Sequence, residues 1–232
     1  MARIKLCVTI IKLGIVAGLF VLAARAYLGY HFFYQYAGLR EEATNLEGSF
    51  HALEPKLKRA VAFSGNPLFF QEAGRLYLEM AQAENKFGTP EKRDEYLDRA
   101  RESLEGFIRR NPLDAFGYYE LGKVYMLYNY PLLTYAAKGR AYLRKALEMR
   151  PVDEDLNGNV TYAYLAQWDR LNAAERDFVY ATVARNLDTD LNFFPRILAL
   201  WMSDFKDSPR LKAIFSENKD LWPKLARFFP VQ

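Results

Sequence analysis

Cysteine is almost absent from this chain and histidine nearly so, and both shortages restrict its chemistry. The single cysteine, Cys7, lies in an apolar N-terminal stretch, so no disulfide framework or thiolate metal site can be built within the chain. Its setting, Lys5-Leu6-Cys7-Val8, lacks the small residues expected before a lipidated cysteine. One thiol does not identify a compartment, because proteins of oxidising spaces also do without disulfides. The two histidines, His31 and His51, would stand about five turns apart on a helix. A His-based metal site or a Ser-His-Asp triad has little to draw on. Phosphate-cradling glycine loops, HExxH and CxxC are missing too, so neither an enzyme nor a cofactor is expected.

Glycine and proline are also scarce, at 13 and 10 of 232 residues, and are placed singly. No segment alternates apolar and polar residues with the period of a strand. Charge of one sign is lacking as well, with 32 Lys and Arg against 28 Asp and Glu, net +4. A nucleic-acid binder would concentrate its bases on one stripe, so no nucleic acid is expected as a partner. The basic ends (Arg3, Lys5, Lys12; Lys219, Lys224, Arg227) fit either contact with anionic lipid or an ordinary solvated surface. What is present is 51% hydrophobic and 16% aromatic residues, a globular composition in a chain long enough to bury a core without staples.

Residues Leu6 to Ala24 read LCVTIIKLGIVAGLFVLAA, with Lys12 as the only charge. About 20 apolar helical residues cross a bilayer, and Lys12 can snorkel toward Lys5 and Arg3. Alternatively the span begins at Leu13 and continues through Arg25 into AYLGYHFFYQYAGL, whose tyrosines and phenylalanines suit a membrane–water boundary. A cleaved signal competes with both: a basic segment to Lys12, an apolar core over Leu13–Ala23, and the small-x-small site Ala24-Arg25-Ala26. The aromatic run after Ala26 favours the uncleaved anchor over residues 1–36. In every case the basic residues precede the span, so the N-terminus stays cytoplasmic and the body crosses, in a bacterium into the periplasm.

Beyond Ala37 nearly every segment has helical apolar spacing. A lead-in helix is expected within residues 37–66, with Leu46, Phe50, Leu53, Leu57 and Val61 on one face and Pro55 breaking or kinking it. Then a repeat emerges. Asn66-Pro67, Asn111-Pro112 and Arg150-Pro151 each precede a similar helix. After the second, Tyr118, Leu121, Gly122 and Tyr125 are followed by Leu143, Ala146 and Pro151. Around the first, Phe70, Ala73, Gly74 and Tyr77 are followed by Ala100, Leu104, Phe107 and Pro112. These spacings resemble the tetratricopeptide-repeat family over roughly Pro67 to Asn186. The small residue, Gly74 or Gly122, would let the first helix of each hairpin approach the second, and the proline would end the second.

A third, more degenerate unit has Val160, Thr161 and Tyr164, then Ala174, Phe178 and Ala181, with no closing proline. Relative to the family, about 14 extra residues stand between the helices of the first unit and about 5 around Tyr130-Pro131-Leu132 in the second. They are either contact loops or longer helices with ordinary turns. An all-α chain is expected: the transmembrane helix read from the apolar segment, then, as the resemblance implies, an α-solenoid of hairpins over 67–190 (about 67–112, 113–151 and 152–186), then capping helices over 191–232. Trp201, Phe205, Phe215, Trp222, Phe228 and Phe229 make that cap heavily aromatic, chiefly as core and in part as a docking surface.

One constellation carries possible metal chemistry. Asp153-Glu154-Asp155-Leu156-Asn157-Gly158-Asn159 resembles the first half of an EF-hand loop, with Asp153, Asp155 and Asn157 as candidate calcium ligands. Tyr164 occupies the place of the bidentate glutamate, and Asp153 and Asp155 equally suit the start of a helix. Asp188-Thr189-Asp190-Leu191-Asn192 is a weaker echo. Acid pairs such as Glu41-Glu42 or Asp204 with Asp207 are ordinary helix-surface features. The repeat resemblance implies a scaffold for protein partners, with Tyr118, Tyr119, Tyr128 and Tyr162 as candidate gripping residues, in a membrane or envelope complex. A constitutive subunit packed through its span is the alternative, helped by the small residues Gly14, Ala17 and Gly18. A ligand-binding or enzymatic protein is the third.

Overall fold

The computed structural model of this chain describes residues 2–128 and 134–229. Among them are eleven α-helices, two 3-10 turns and no strand. The chain forms two compact units, Met1–Leu113 with Leu127–Tyr135, and Asp114–Met126 with Ala136–Gln232.

The first unit is an up-and-down array of α1 (Ala2–Glu42), α2 (Leu46–Phe63), α3 (Pro67–Phe87) and α4 (Pro90–Arg110). α1 is one uninterrupted helix of 41 residues, about 60 Å long at 1.5 Å per residue, and its two halves have different surroundings. From Ile11 to Leu22 its large apolar side chains are open, with Ile11 61%, Phe20 75% and Leu22 64% exposed. The helix from Ile11 to Glu42 is the one among the described residues long and apolar enough to cross a membrane, and a signal sequence meets the same test. From Leu28 the helix packs. A Cβ at Gly29 would lie 2.5 Å from Ser64 Cβ, so glycine permits α1 to cross the end of α2 at this distance. Phe32 stacks on Phe63 at 5.8 Å and Phe33 on Phe69 at 4.6 Å, and Tyr36 is buried. Arg25 donates to the Ala62 carbonyl at 3.3 Å, and Arg40 pairs with Glu79.

The aromatic run is therefore divided between two faces. Phe32, Phe33 and Tyr36 face the unit, while Tyr27 and Tyr34 are each 71% exposed. The expected division at residue 36 falls inside α1, and the lead-in segment is the tail of α1 plus α2. Nor does Pro55 end α2. Leu53 and Leu57, 0% and 2% exposed, anchor the helix on either side of it, and that burial outweighs the lost backbone bond.

α3 and α4 make a hairpin whose closest approach is at Gly74, where a Cβ would stand 2.5 Å from Leu104 Cγ. Only Gly88 and Thr89 separate the two helices, so the extra residues of this unit extend both to 21 residues and form no contact loop. Thr89 caps α4, accepting from the Lys92 amide at 3.4 Å, with Pro90 in the first turn.

The second unit begins with α5 (Ala115–Leu127) and α6 (Ala136–Met149), followed by α7 (Glu154–Leu165) and α8 (Ala173–Leu187). A 3-10 turn, Trp168–Arg170, joins the last two. The α5–α6 hairpin repeats the same close approach. A Cβ at Gly122 would be 2.7 Å from Leu143 Cδ2 and 3.0 Å from the Gly139 carbonyl. The second expected insertion, Tyr130-Pro131-Leu132, lies outside the described residues. In the α7–α8 hairpin Val160, Thr161 and Tyr164 are buried, but Ala174 and Ala181 face solvent. The buried face of α8 is Val179, Thr182, Val183, Asn186 and Leu187. Asn157 explains the register: fully buried, its side-chain oxygen accepts from Asn186 and Arg185 at 3.0 Å each. A buried amide must be satisfied, and this turns Asn186 inward.

The unit closes with α9 (Phe193–Asp204), α10 (Ser208–Ser216), α11 (Trp222–Leu225) and a 3-10 turn over Ala226–Phe228. Phe194, fully buried, meets the rings of Phe215, Phe228 and Phe229 at 5.3, 5.3 and 5.9 Å. Trp201 is fully buried and donates its indole N–H to the Asp207 carbonyl at 2.7 Å. The aromatic load of the C-terminal segment is thus mostly core, with Phe205, at 38%, the most open of the six.

Two glycines of the second unit should respond oppositely to alanine. Gly158 has nothing within 4 Å of a Cβ, so Gly158→Ala gains helix propensity and should stabilise by up to about 1 kcal/mol. Gly122→Ala must displace Leu143 and a backbone carbonyl and should destabilise by about 1–3 kcal/mol. Urea unfolding followed by tryptophan fluorescence reads this unit, since Trp168, Trp201 and Trp222 all lie in it.

Candidate functional site

The four tyrosines singled out by the sequence fall in both units. Tyr128 belongs to the first unit, where its hydroxyl donates to Asp98 at 2.6 Å and its ring meets Tyr135 edge-on at 5.7 Å. Burial, then the Asp98 hydrogen bond, raises its pKa. The other three lie in the second unit. Tyr162 donates to Asp204, and burial and that carboxylate raise its pKa. Tyr119 carries Lys123 over its ring at 5.3 Å, and burial, then Glu120, pushes its hydroxyl up to about 12. Tyr118 is 6% exposed and is a packing residue.

Tyr118 belongs instead to an aromatic ladder on α5 and α6 that the sequence reading missed. Tyr142 lies between Tyr118, at 6.4 Å, and Tyr125, at 5.5 Å and nearly parallel. Lys145 Nζ sits 4.1 Å over the outer ring of Tyr118, and Lys138 Nζ sits 4.2 Å over Tyr125 while donating to its hydroxyl at 2.9 Å. Each cation meets the negative face of a ring. Both lysines are solvent-exposed, so the ladder offers two ammonium groups on a rigid aromatic base. The period of Lys138 and Lys145, two turns apart on α6, was the signal available for it.

The calcium-loop candidate lies at the start of α7. The helix begins at Glu154, so Asp153 is its N-cap, its carboxylate accepting from the Leu156 amide at 3.0 Å. Asp155 lies in the first turn, and Asn157 donates to the Pro151 and Asp153 carbonyls at 2.9 and 2.8 Å. With its oxygen held by Arg185 and Asn186, Asn157 has no lone pair directed with the two carboxylates. In the weaker echo, Asp188 pairs with Lys224 and Asp190 with Arg196. Among the described residues no three His, Cys, Asp or Glu side chains converge.

A largely buried ion pair links α6 to α8 in the second unit. Arg140, 5% exposed, donates to both oxygens of Glu175 at 2.7 and 3.3 Å and to Gln167 at 2.7 Å. Burial works against the Glu175 carboxylate, but the hydrogen bonds from Arg140 and the Asn172 amide prevail and lower its pKa. Near it Tyr164 donates to the Arg140 carbonyl at 2.8 Å, which ties α7 to α6. A groove of about 380 Å³ is lined by Tyr180, Ala181, Ala184, Asn218, Leu221 and Lys224. Asp220 lines it too, and two of its polar side chains are engaged: Tyr180 donates to the Ile214 carbonyl at 2.8 Å, and Lys224 pairs with Asp188.

Exposed aliphatic residues recur at hairpin starts. Leu68 after Pro67, Leu113 after Pro112 and Val152 after Pro151 are 42%, 85% and 88% exposed. Comparison with known proteins adds no relative: no family model matches, and neither curated proteins nor solved structures give a significant match.

The cap assignment makes a simple prediction. Asp153→Ala should lower the stability of the second unit by about 1 kcal/mol, Asp153→Asn should be nearly neutral, and millimolar calcium should leave the unfolding midpoint of the wild type unmoved. A calcium-dependent rise in that midpoint, lost in Asp153→Asn, would restore the loop reading.

Proposed function

We propose that this chain is a single-pass membrane protein whose helical-hairpin body holds other proteins at the membrane, with its N-terminus cytoplasmic. The observation that carries the anchor is α1. Its apolar half is exposed from Ile11 to Leu22, and the same unbroken helix is seated in the first unit from Leu28. From Ala2 to Ala23 the helix is about 33 Å long, close to the ~30 Å hydrocarbon thickness of a bilayer. Arg3, Lys5 and Lys12 precede or begin this stretch, which sets the orientation.

The holding role is supported by the hairpins. Glycine-to-leucine approaches at Gly74–Leu104 and Gly122–Leu143 are the packing that the tetratricopeptide resemblance implies, and arrays of such hairpins serve as binding surfaces. On the α5–α6 hairpin the exposed Lys138 and Lys145 stand over the buried rings of Tyr125 and Tyr118 and present positive charge at the surface.

Cellular fractionation with intact mass measurement tests the first half. The full-length chain should resist alkaline extraction from membranes and keep its unshortened mass. A soluble form beginning near Tyr27 would replace the anchor with a signal. Purification in mild detergent tests the second half, with a stoichiometric protein companion expected; a clean monomer in every mild detergent would remove the holding role while leaving the anchor.

A further inference from the structure

At the end of the first unit where α1 leaves it, several exposed side chains come together. Tyr30 on α1 shares a 2.7 Å hydrogen bond with Asn66 of the α2–α3 turn. Leu68 follows in the first turn of α3, where Cβ bonds tilt back toward the helix start and hence toward that turn. The last turn of α4 reaches the same place: Arg110 Nε lies 4.0 Å from where a Gly65 Cβ would be, and its guanidinium stands 3.9 Å over Phe70. Arg109 and Arg110 are exposed there, and Leu113 lies three residues beyond. Tyr27, one turn closer to the apolar half of α1, is 71% exposed, Tyr30 43%, Leu68 42% and Leu113 85%.

We infer that this end of the first unit is a membrane-contact rim that rests on the anionic phospholipid headgroup layer. The assignment depends on the membrane-anchor reading and deepens it. Exposed leucines in turns are costly in water and gain by entering the interface. Tyrosines are enriched at that level, and arginines are drawn to an anionic surface. All six side chains sit where α1 passes from its packed half to its open half, which is where the bilayer surface must lie if the open half is inserted. Because α1 is continuous through this point, the rim and the span are held in fixed relation, and the first unit stands on the membrane instead of swinging on a tether.

The test uses the full-length chain in a Cys7→Ser background, reconstituted in phosphatidylcholine vesicles with and without phosphatidylglycerol. Spin labels are placed singly at Leu19→Cys in the open half of α1, Leu113→Cys in the rim and Glu91→Cys at the opposite end of the first unit. Collision with oxygen and with a water-soluble nickel complex reports depth. Position 19 should be open to oxygen and closed to nickel, position 91 fully open to nickel, and position 113 should lose most of its nickel access. That loss should deepen with phosphatidylglycerol and shrink in Arg109→Glu. Position 113 as open to nickel as position 91, with position 19 still buried, would overturn the rim and leave the anchor. Position 19 open to nickel would remove the anchor and the rim together. Shielding at 113 that scales with the protein-to-lipid ratio would assign the rim to a second copy of the chain and overturn the lipid assignment.

Discussion

The seating of α1 on α2 and α3 is the contact on which the first unit depends. Gly29 against Ser64, Phe32 on Phe63 and Phe33 on Phe69 seat a helix whose large apolar side chains from Ile11 to Leu22 are exposed. Without residues 28–42, Phe69 would lose the rings of Tyr30 and Phe33 that cover it, at a cost on the order of 1.5–3 kcal/mol for a large side chain uncovered. The same residues fix the direction in which the apolar half emerges, so core packing and membrane geometry are set by one helix. A jointed linker between span and body would have separated the two demands.

Within each unit the hairpins rely on a second device, close approach at a helical glycine. Gly74 and Gly122 each lie under a leucine of the returning helix, Leu104 and Leu143. The third hairpin solves its packing differently. Asn157, with no exposed surface, is satisfied by two carbonyls and by Asn186 and Arg185, and the Arg140–Glu175–Gln167 cluster ties α6 to the start of α8. Buried polar groups of this kind dictate register because any slip leaves them unpaired.

Those two devices account for what could be read in advance. A glycine that must face a leucine leaves a local signature, a fixed spacing of small, aromatic and aliphatic residues, and the first two hairpins were legible for that reason. The register of α8 was not, since it follows from Asn157, a residue whose burial no local pattern announces; Ala174 and Ala181 fitted the spacing and yet face solvent. Likewise the aromatic run of α1 was visible, but which rings turn inward is decided by α2 and α3. Tyr118 was visible as an aromatic on a first helix, whereas its stacking on Tyr142 depends on how α6 returns. The Asp153–Asn157 pattern was ambiguous between loop and cap, and the preceding Pro151 and the helical continuation resolve it as a cap.

The claim on which the rest stands is that residues 28–42 belong to the core of the first unit and residues before them do not. Hydrogen exchange read by mass spectrometry on two truncated chains, 27–232 and 43–232, tests it most directly. The account predicts that amides of α2 and α3 stay protected in 27–232 and become unprotected in 43–232, while those of α8 and α9 are protected in both. Equal protection of α3 in the two chains would contradict it, and would make the whole of α1 an appendage.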